Sequence, residues 1–220
     1  LAAAEQQGGI ERLRLSSIEP REVTEDLIAL MRRSRLICRH LHIPLQSGGD
    51  EILRRMGRNY DVAFYRALLS AIAAAVPDIA LGADVMAGFP GETPAQFSGT
   101  CEFLRESPLA YLHVFPYSDR PGTEASRMDG KVDAAEKKRR AQILREIGQQ
   151  KRRAFAERFL GRELSVLIEG RNAGGYVQGF SGNYIPVALR HEGLDLTNRI
   201  VRVRIESFRE EKLHGIIAGA

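Results

Sequence analysis

The sequence is poor in cysteine, with Cys38 and Cys101 as its two examples, and these do not form a CxxC pair. Two cysteines in a chain of this length exclude a disulfide scaffold and fit a reducing compartment. Long apolar runs are also missing, since none reaches the roughly 18 residues needed to span a bilayer. The opening residues lack the basic segment and apolar core of a signal peptide. We therefore expect a cytoplasmic protein without a membrane partner.

Length and charge set further bounds. With 220 residues, 44 % of them hydrophobic, the chain can form one large or two modest domains. It begins with Leu1 rather than methionine, which suggests a fragment or an excised domain. The net charge of +4 is uneven, because Lys131 to Gly161 hold ten Lys or Arg against four Asp or Glu, whereas residues 1–130 are slightly acidic. This basic stretch is either a solvated helix face or a surface for an anionic partner such as RNA.

Short apolar runs alternate with helical stretches up to about Gly130. The apolar patterns predict four strands, at residues 12–18, 39–45, 79–89 and 109–117. Amphipathic stretches predict helices at residues 24–34, 50–56, 62–76 and 93–107. Strands separated by helices of this length are typical of parallel β/α units with right-handed crossovers.

The pattern changes after Gly130. Residues 133–160 predict one long basic helix whose apolar face holds Leu144, Ile147, Phe155 and Phe159. From Arg162 onward, five short strands separated by glycine and asparagine turns predict a small antiparallel barrel. We therefore divide the chain into a β/α domain at 1–130, a linker helix at 131–161 and a β-barrel at 162–220.

The strand tips are where we expect function, because ligands of parallel β/α folds gather at the carboxyl ends of the strands. Gln46 and Ser47 offer donors and acceptors at one tip, and two glycines follow them. Asp84 lies inside an otherwise apolar strand and needs a partner if it is buried. The segment GFPGE at 88–92 is either a ligand-binding tip or simply a tight turn. These tips favour a polar small-molecule ligand.

Other residues leave alternatives open. Cys38, His40 and His42 share one strand face by period-two alternation and could ligate zinc, but a fourth ligand is not evident and a polar lining explains them equally. His113 is either a core histidine or a lining group. Cys101 is expected to be a small buried hydrophobe within a helix.

Five segments occur in a specific order: LRLSSIEP, HLHIPLQSG, ILRRM, DVMAGFPGET and YLHVFPYSDRPGT. Together with the basic helix and the barrel that follow, they resemble the radical S-adenosylmethionine (SAM) methylthiotransferases over essentially the whole chain. The likeness is strongest to the branch that modifies threonylcarbamoyladenosine in tRNA. The branches that act on isopentenyladenosine in tRNA or on a ribosomal protein are the alternatives.

The resemblance implies a fold and a reaction. Residues 1–130 would be the latter half of a partial β/α barrel, and the module from Arg162 would be a TRAM domain that binds RNA. SAM on a [4Fe-4S] cluster would yield a deoxyadenosyl radical that activates C2 of the adenine. A second [4Fe-4S] cluster would supply sulfur, and a second SAM would supply the methyl group.

The resemblance also implies site residues. Those at the strand tips would contact SAM, namely Ser16, Ser17, Glu19, Gln46, Ser47, Asp84 and Gly88. Asp84 and Gly88 would flank the adenine or the substrate, and His113 would face the barrel interior on the substrate side. In the barrel, basic and aromatic side chains suit phosphates and bases of RNA, and the candidates are Arg171, Tyr176, Arg202, Arg204 and Lys212.

The sequence departs from the family at the cluster ligands. The CxxxCxxC loop and the cysteine-bearing N-terminal domain are absent, and Cys38 and Cys101 cannot replace three converging thiolates. We therefore expect no metal site in this chain and no activity from it alone. The strand at 12–18 would expose an unpaired edge, which predicts an edge-strand dimer.

Two further hypotheses compete with a fragment of a methylthiotransferase. The chain could be an RNA-binding module that catalyses no reaction. The lack of cluster-binding cysteines fits this hypothesis. The chain could also be an ordinary β/α-barrel enzyme with a phosphate-binding strand tip. The absence of a recognisable acid/base pair or glycine-rich phosphate loop counts against this second reading.

Overall fold

The computed structural model describes residues 9–171, 175–190 and 195–218. The elements of the first half are α1 (Glu25–Arg33), β1 (His40–His42), α2 (Asp50–Arg55), α3 (Val62–Ala75), β2 (Ala80–Ala87), α4 (Pro94–Glu106) and β3 (Tyr111–Pro116). Those of the second half are α5 (Ala134–Glu157), β4 (Glu163–Arg171), β5 (Tyr176–Ser181), β6 (Pro186–Arg190), β7 (Ile200–Arg209) and β8 (Lys212–Ile217). Each predicted helix is therefore confirmed within a few residues.

The first half is a parallel sheet covered on one face by helices. Strands β1, β2 and β3 are neighbours in that order, and both pairs are parallel. Local chemistry fixes where the helices begin, because Thr24, Asp61 and Thr93 each accept a hydrogen bond from a backbone amide in the first turn. This arrangement confirms the predicted β/α units.

The segment at 12–18 departs from the prediction of a continuous strand. Its backbone pairs with the sheet at two isolated parallel bridges, Leu13 to Ile37 and Ser17 to His42, and not along a continuous ladder. Its arginines reach the barrel instead, where Arg12 Nη1 donates to the carbonyl of Phe180 at 3.0 Å. The structure thus gives no support to the predicted edge-strand dimer.

Helix α5 joins the two halves. Its predicted apolar face is buried as expected, at Leu144, Ile147 and Phe155. Gly148 brings the helix axis close to β3, because a Cβ there would lie 3.2 Å from Cβ of Leu112. In the described part of the chain, this helix and all others are too short or too polar to cross a membrane.

The second half is a closed barrel with the strand order β4-β5-β6-β8-β7. Inward side chains alternate along the strands and fill its interior with aliphatic groups such as Val166, Val177 and Val203. Closure pairs every strand with two neighbours, so the barrel has no open edge among its described strands.

Two contacts fix the barrel against the sheet. An apolar cluster continues from Ala80 and Tyr111 of the sheet, through Phe155 and Phe159, into the barrel core. At its edge, Asp78 accepts a hydrogen bond from Arg162 Nη2 at 2.6 Å, and this bond holds the pKa of Asp78 below its ordinary value despite partial burial. The two halves therefore pack as one body.

A buried ion pair anchors α5 to the loop after β2. Arg140 Nη1 lies 2.8 Å from Glu92 Oε2, and both side chains are almost fully buried. The same carboxylate oxygen accepts the amide of Gly88 at 2.8 Å. Burial raises the pKa of Glu92, and the contacts with Arg140 and Gly88 oppose that shift.

We predict that Arg140→Met lowers the free energy of unfolding by about 3–5 kcal/mol, because it leaves a buried carboxylate without a charged partner. Arg139→Met is the matched control, since Arg139 pairs with Glu136 in an exposed position and its loss should lower the stability much less. Urea unfolding of both variants measures the difference. An equal loss of unfolding free energy in both variants would show that the buried pair contributes no more to stability than the exposed pair.

Candidate functional site

One face of the sheet is polar. Because side chains alternate along a strand, every second one points toward the helices. The side chains on this face are apolar and buried, namely Leu41, Leu81, Ala83 and Leu112. The opposite face carries His40 and His42 from β1, Asp84 from β2, and Tyr111 and His113 from β3. This arrangement collects five hydrogen-bonding side chains on one surface, here called the polar face.

Gly82 makes room for the centre of the polar face. A Cβ at Gly82 would overlap the phenol ring of Tyr111, so the ring crosses β2 at this position. Its hydroxyl lies 2.8 Å from His40 Nε2 and 3.2 Å from His42 Nδ1. Tyr111 thus links both histidines of β1 to β3.

Asp84 lies between two imidazoles. Its Oδ1 is 3.0 Å from His42 Nε2 and 3.4 Å from His113 Nδ1. The rings of His42 and His113 lie 5.0 Å apart at 27°. Asp84, predicted to need a partner, therefore has two.

Protonation states follow from burial and neighbouring charge. Burial, together with the positive charge of Arg14, lowers the pKa of His40 to about 4, so this imidazole is neutral at physiological pH. Burial raises the pKa of Tyr111, so its phenol stays protonated. The Nδ1 atom of His40 is buried and has no hydrogen-bond partner among the described residues.

The polar face opens onto a cavity of about 210 Å³ between the sheet and the barrel. Tyr111 and His113 line it from the sheet, Arg152 from α5, and Phe180 and Tyr184 from the barrel. Tyr184 is 43 % exposed and has a positive φ of 63°. A ligand in this cavity would contact both halves of the chain.

The strand tips lie beside the polar face. Gln46 has a positive φ of 69°, and its amide donates to the carbonyl of Asp84 at 2.8 Å. The bridge from Ser17 to His42 places the first tip at the level of the histidines. Ser16, Ser17 and Glu19 are exposed and Gln46 is half-buried, so their side chains are accessible.

Ser47 and Gly88 are already engaged inside the chain. The hydroxyl of Ser47 is buried and accepts the amide of Gly49 at 3.2 Å. The amide of Gly88 donates to Glu92, and its positive φ of 74° belongs to the tight turn over residues 88–92. Gly48 packs against Thr100 of α4. These positions shape the tips instead of presenting free groups.

Sequence reasoning missed Arg58. Its Nη1 lies 3.4 Å from Oε1 of Glu19, and its Nε is buried without a partner in the part of the chain that the structure describes. Arg58 follows α2 and is far from Glu19 in sequence, so no local pattern indicates the pair. A cation and an anion thus stand together at the first tip.

The cysteines do not join this site. Cys38 and Cys101 are both buried and free. Among the described residues, one group of His, Cys, Asp or Glu side chains lies close enough together to share a metal ion. This group is His42, Asp84 and His113. The alternative set of Cys38, His40 and His42 is therefore not assembled, and the expected absence of any metal-binding group is put in question.

The candidate RNA-binding residues are spread over the barrel. Arg202 and Arg204 point outward as alternation predicted, with Val203 buried between them. Lys212 Nζ donates to Gln178 at 3.1 Å, and Tyr176 packs edge-on against His214. The side chain of Arg171 lies outside the described part of the chain, and the backbone of Arg171 ends β4.

The first half of the chain is similar to a known superfamily in sequence and in fold. Residues 1–104 match the radical SAM superfamily. Coproporphyrinogen III oxidase (HemN) from Escherichia coli, a radical SAM enzyme, superposes with a TM-score of 0.53 at 24 % identity, over 63 % of this chain and 32 % of that one. This second likeness concerns the fold alone. The sequence of residues 1–104 thus matches the radical SAM superfamily, and the described part of the chain shares its fold with a radical SAM enzyme.

Over nearly its whole length the chain also resembles methylthiotransferases. It is 35 % identical over 214 residues to threonylcarbamoyladenosine tRNA methylthiotransferase MtaB of Thermotoga maritima, covering 96 % of this chain and 48 % of that protein. It is 36 % identical over 215 residues to tRNA-2-methylthio-N(6)-dimethylallyladenosine synthase of Maricaulis maris, covering 97 % and 47 %. The chain spans about half the length of these curated relatives. The resemblance to radical SAM methylthiotransferases is thereby confirmed.

We predict that Gly82→Ala lowers the free energy of unfolding by about 1–3 kcal/mol, because the added methyl group displaces the ring of Tyr111. Gly99→Ala is the matched control, since a Cβ there meets nothing within 4 Å and the change should stabilise helix α4 by about 0.5–1 kcal/mol. Thermal unfolding of both variants checks the opposite signs. Stabilisation by Gly82→Ala would contradict the role given to this position.

Proposed function

We propose that this chain is part of a radical SAM enzyme that methylthiolates tRNA at C2 of a threonylcarbamoyl-modified adenosine next to the anticodon. The observation that carries the reaction class is the 35 % identity to a tRNA methylthiotransferase across 96 % of the chain. Because the chain spans about half of that relative, the activity is proposed for the whole protein. The isolated chain is proposed to be inactive.

The polar face supports threonylcarbamoyladenosine over dimethylallyladenosine. Identity does not separate the two, since relatives of both kinds stand at 35 % and 36 %. A threonylcarbamoyl group carries a carboxylate, a hydroxyl and amide groups, whereas a dimethylallyl group is a hydrocarbon. Hydrocarbon packed against His42, Asp84 and His113 would desolvate their polar atoms without replacing the lost hydrogen bonds.

We assign the SAM-binding role to the accessible tip residues Ser16, Ser17, Glu19 and Gln46, and we add Arg58. The amino acid part of SAM carries an ammonium and a carboxylate, which Glu19 and Arg58 complement in charge. The unpartnered Nε of Arg58 fits this assignment, because a buried donor normally has an acceptor. When bound, SAM supplies the deoxyadenosyl radical and the methyl group.

The remaining predicted site residues fall into two groups. Asp84 and His113 would face the adenine and its substituent, because they lie on the polar face beside the cavity. Ser47 and Gly88 would hold the backbone of their tips, since their polar groups already bind Gly49 and Glu92. Substitutions at these two positions would then act on SAM indirectly.

The cysteines of this chain do not fit a [4Fe-4S] cluster. Three thiolates must converge on such a cluster, whereas this sequence offers two buried cysteines. We therefore assign no cluster ligand and no reaction step to Cys38 or Cys101. Both clusters proposed for the whole protein would be held by other segments.

The barrel is proposed as a TRAM-type module that binds tRNA, with domain limits at 1–130, 131–161 and 162–220. Arg202 is 80 % exposed at its side chain and Arg204 shares its face, so both are accessible to phosphates. Arg171, Tyr176 and Lys212 complete the proposed RNA-binding set.

The reaction is tested by expressing the complete reading frame that contains this chain in a bacterial strain without its own tRNA methylthiotransferases. Mass spectrometry of digested tRNA should show the methylthio derivative of threonylcarbamoyladenosine. We expect His113→Leu to lower this product about tenfold, the equivalent of about 1.4 kcal/mol.

Gly99→Ala in helix α4, where an added Cβ meets nothing within 4 Å, is the control and should leave the product unchanged. Methylthiolation of dimethylallyladenosine alone would refute the substrate and keep the reaction class. No methylthio product on either nucleoside would refute the reaction class and leave the RNA-binding module without chemistry.

RNA binding by the 220-residue chain is tested separately. We predict that replacing Arg202 and Arg204 with Ser weakens tRNA binding and lowers the salt slope of log K by about 1 for each lost phosphate contact. Arg32→Ser with Arg33→Ser removes the same charge from α1, which carries none of the proposed RNA-binding residues, and should leave the slope unchanged. Equal loss in both double variants would indicate a net-charge effect only. Filter binding across a salt series gives the slopes.

A further inference from the structure

We propose that His42, Asp84 and His113 form a binding site for a divalent first-row transition-metal ion such as Zn²⁺ or Fe²⁺. Their ligand atoms, two imidazole nitrogens and one carboxylate oxygen, all lie within 4.8 Å of one another. This proposal goes beyond the tRNA reaction and does not depend on it, because metal binding by this chain is measured directly.

The distances suit coordination of one ion. Metal–ligand bonds of about 2.0–2.2 Å to nitrogen and oxygen place neighbouring ligand atoms about 3–3.5 Å apart. Asp84 Oδ1 is 3.0 Å from His42 Nε2 and 3.4 Å from His113 Nδ1. The two imidazole nitrogens and the carboxylate oxygen therefore already have the spacing that ligands of one ion require.

Tyr111 orients one of the ligands. A metal-binding histidine normally uses its other ring nitrogen in a hydrogen bond, which fixes the ring orientation. His42 meets this requirement, because its Nδ1 lies 3.2 Å from the hydroxyl of Tyr111 while Nε2 faces Asp84. His40 is not a ligand, because its Nε2 is turned to the same hydroxyl at 2.8 Å.

Graded exposure leaves room for further ligands. The exposed fraction of the side chain rises from 11 % for His42 through 27 % for Asp84 to 50 % for His113, and His113 lines the cavity. Two imidazoles and one carboxylate with open positions are the donor set of sites where a metal also binds water or substrate. A carboxylate or hydroxyl of a bound ligand could occupy such a position.

The test uses Co²⁺ as a spectroscopic probe on the full 220-residue chain. After equilibrium dialysis, we expect about one Co²⁺ per chain, with visible d–d bands and no thiolate charge-transfer band. Asp84→Asn and His113→Gln should each weaken Co²⁺ binding by more than about 100-fold, because each removes a ligand. Tyr111→Phe keeps the ring, removes the hydroxyl, and should weaken it about 10- to 100-fold.

His214→Gln is the matched control, because it removes an imidazole outside the site. Circular dichroism checks the fold of each variant. If Asp84→Asn does not fold, the test depends on His113→Gln, because the side chain of His113 is half-exposed. Absence of retained Co²⁺ in the unaltered chain would overturn the proposal and leave a hydrogen-bonded His–Asp–His array. Equal retention by His113→Gln, or a thiolate band from Cys38, would place the ion elsewhere and also overturn it.

Discussion

The position of the Tyr111 ring across Gly82 is the constraint on which most of this structure depends. Its apolar edge belongs to the cluster that runs through Phe155 and Phe159 into the barrel core. Its hydroxyl simultaneously binds His40 and His42 on the polar face. Packing between the two halves and the geometry of the polar face are therefore coupled through one side chain. A change that loosens the barrel would also release the histidines.

Burial makes the polar face energetically costly. His40 stays neutral because its pKa is lowered to about 4, and its Nδ1 lacks a hydrogen-bond partner among the described residues. An unsatisfied buried polar atom costs about 1–3 kcal/mol. The apolar cluster on the other side of the sheet shows that this chain can bury aliphatic residues at neighbouring positions. Polar groups kept at such cost favour a binding role over a purely structural one.

The spacing of apolar residues in the sequence was sufficient to predict most of the fold. It predicted the helices, three of the sheet strands, the buried face of α5 and the barrel, because each depends on local spacing. It failed at residues 12–18, where alternation is present but only two isolated bridges form. The side chain of Arg12 leaves the sheet to bind the barrel 168 residues away, a contact that no local pattern contains.

The site was less predictable for the same reason. Alternation placed His40 and His42 on one face, and Asp84 was singled out as a carboxylate in need of a partner. The links among them depend on register: Asp84 pairs with His113 across β2 and β3, and Gly82 pairs with Tyr111. Register between distant strands cannot be read from spacing, so Tyr111 and Arg58 were missed. Cys38 was grouped with the histidines because the alternating pattern in the sequence extends back to residue 38, whereas β1 begins only at His40.

Register also determines whether the strand tips and the polar face are one surface or two. Ser17 bridges to His42, and the amide of Gln46 binds the carbonyl of Asp84. The strands are thus staggered, and two tips end at the level of the histidines. A ligand that contacted both Ser17 and Gln46 would therefore lie next to the backbone of His42 and Asp84. This contiguity is what a reaction between a cofactor and a substrate requires, because the reacting groups must meet within about 3–3.5 Å.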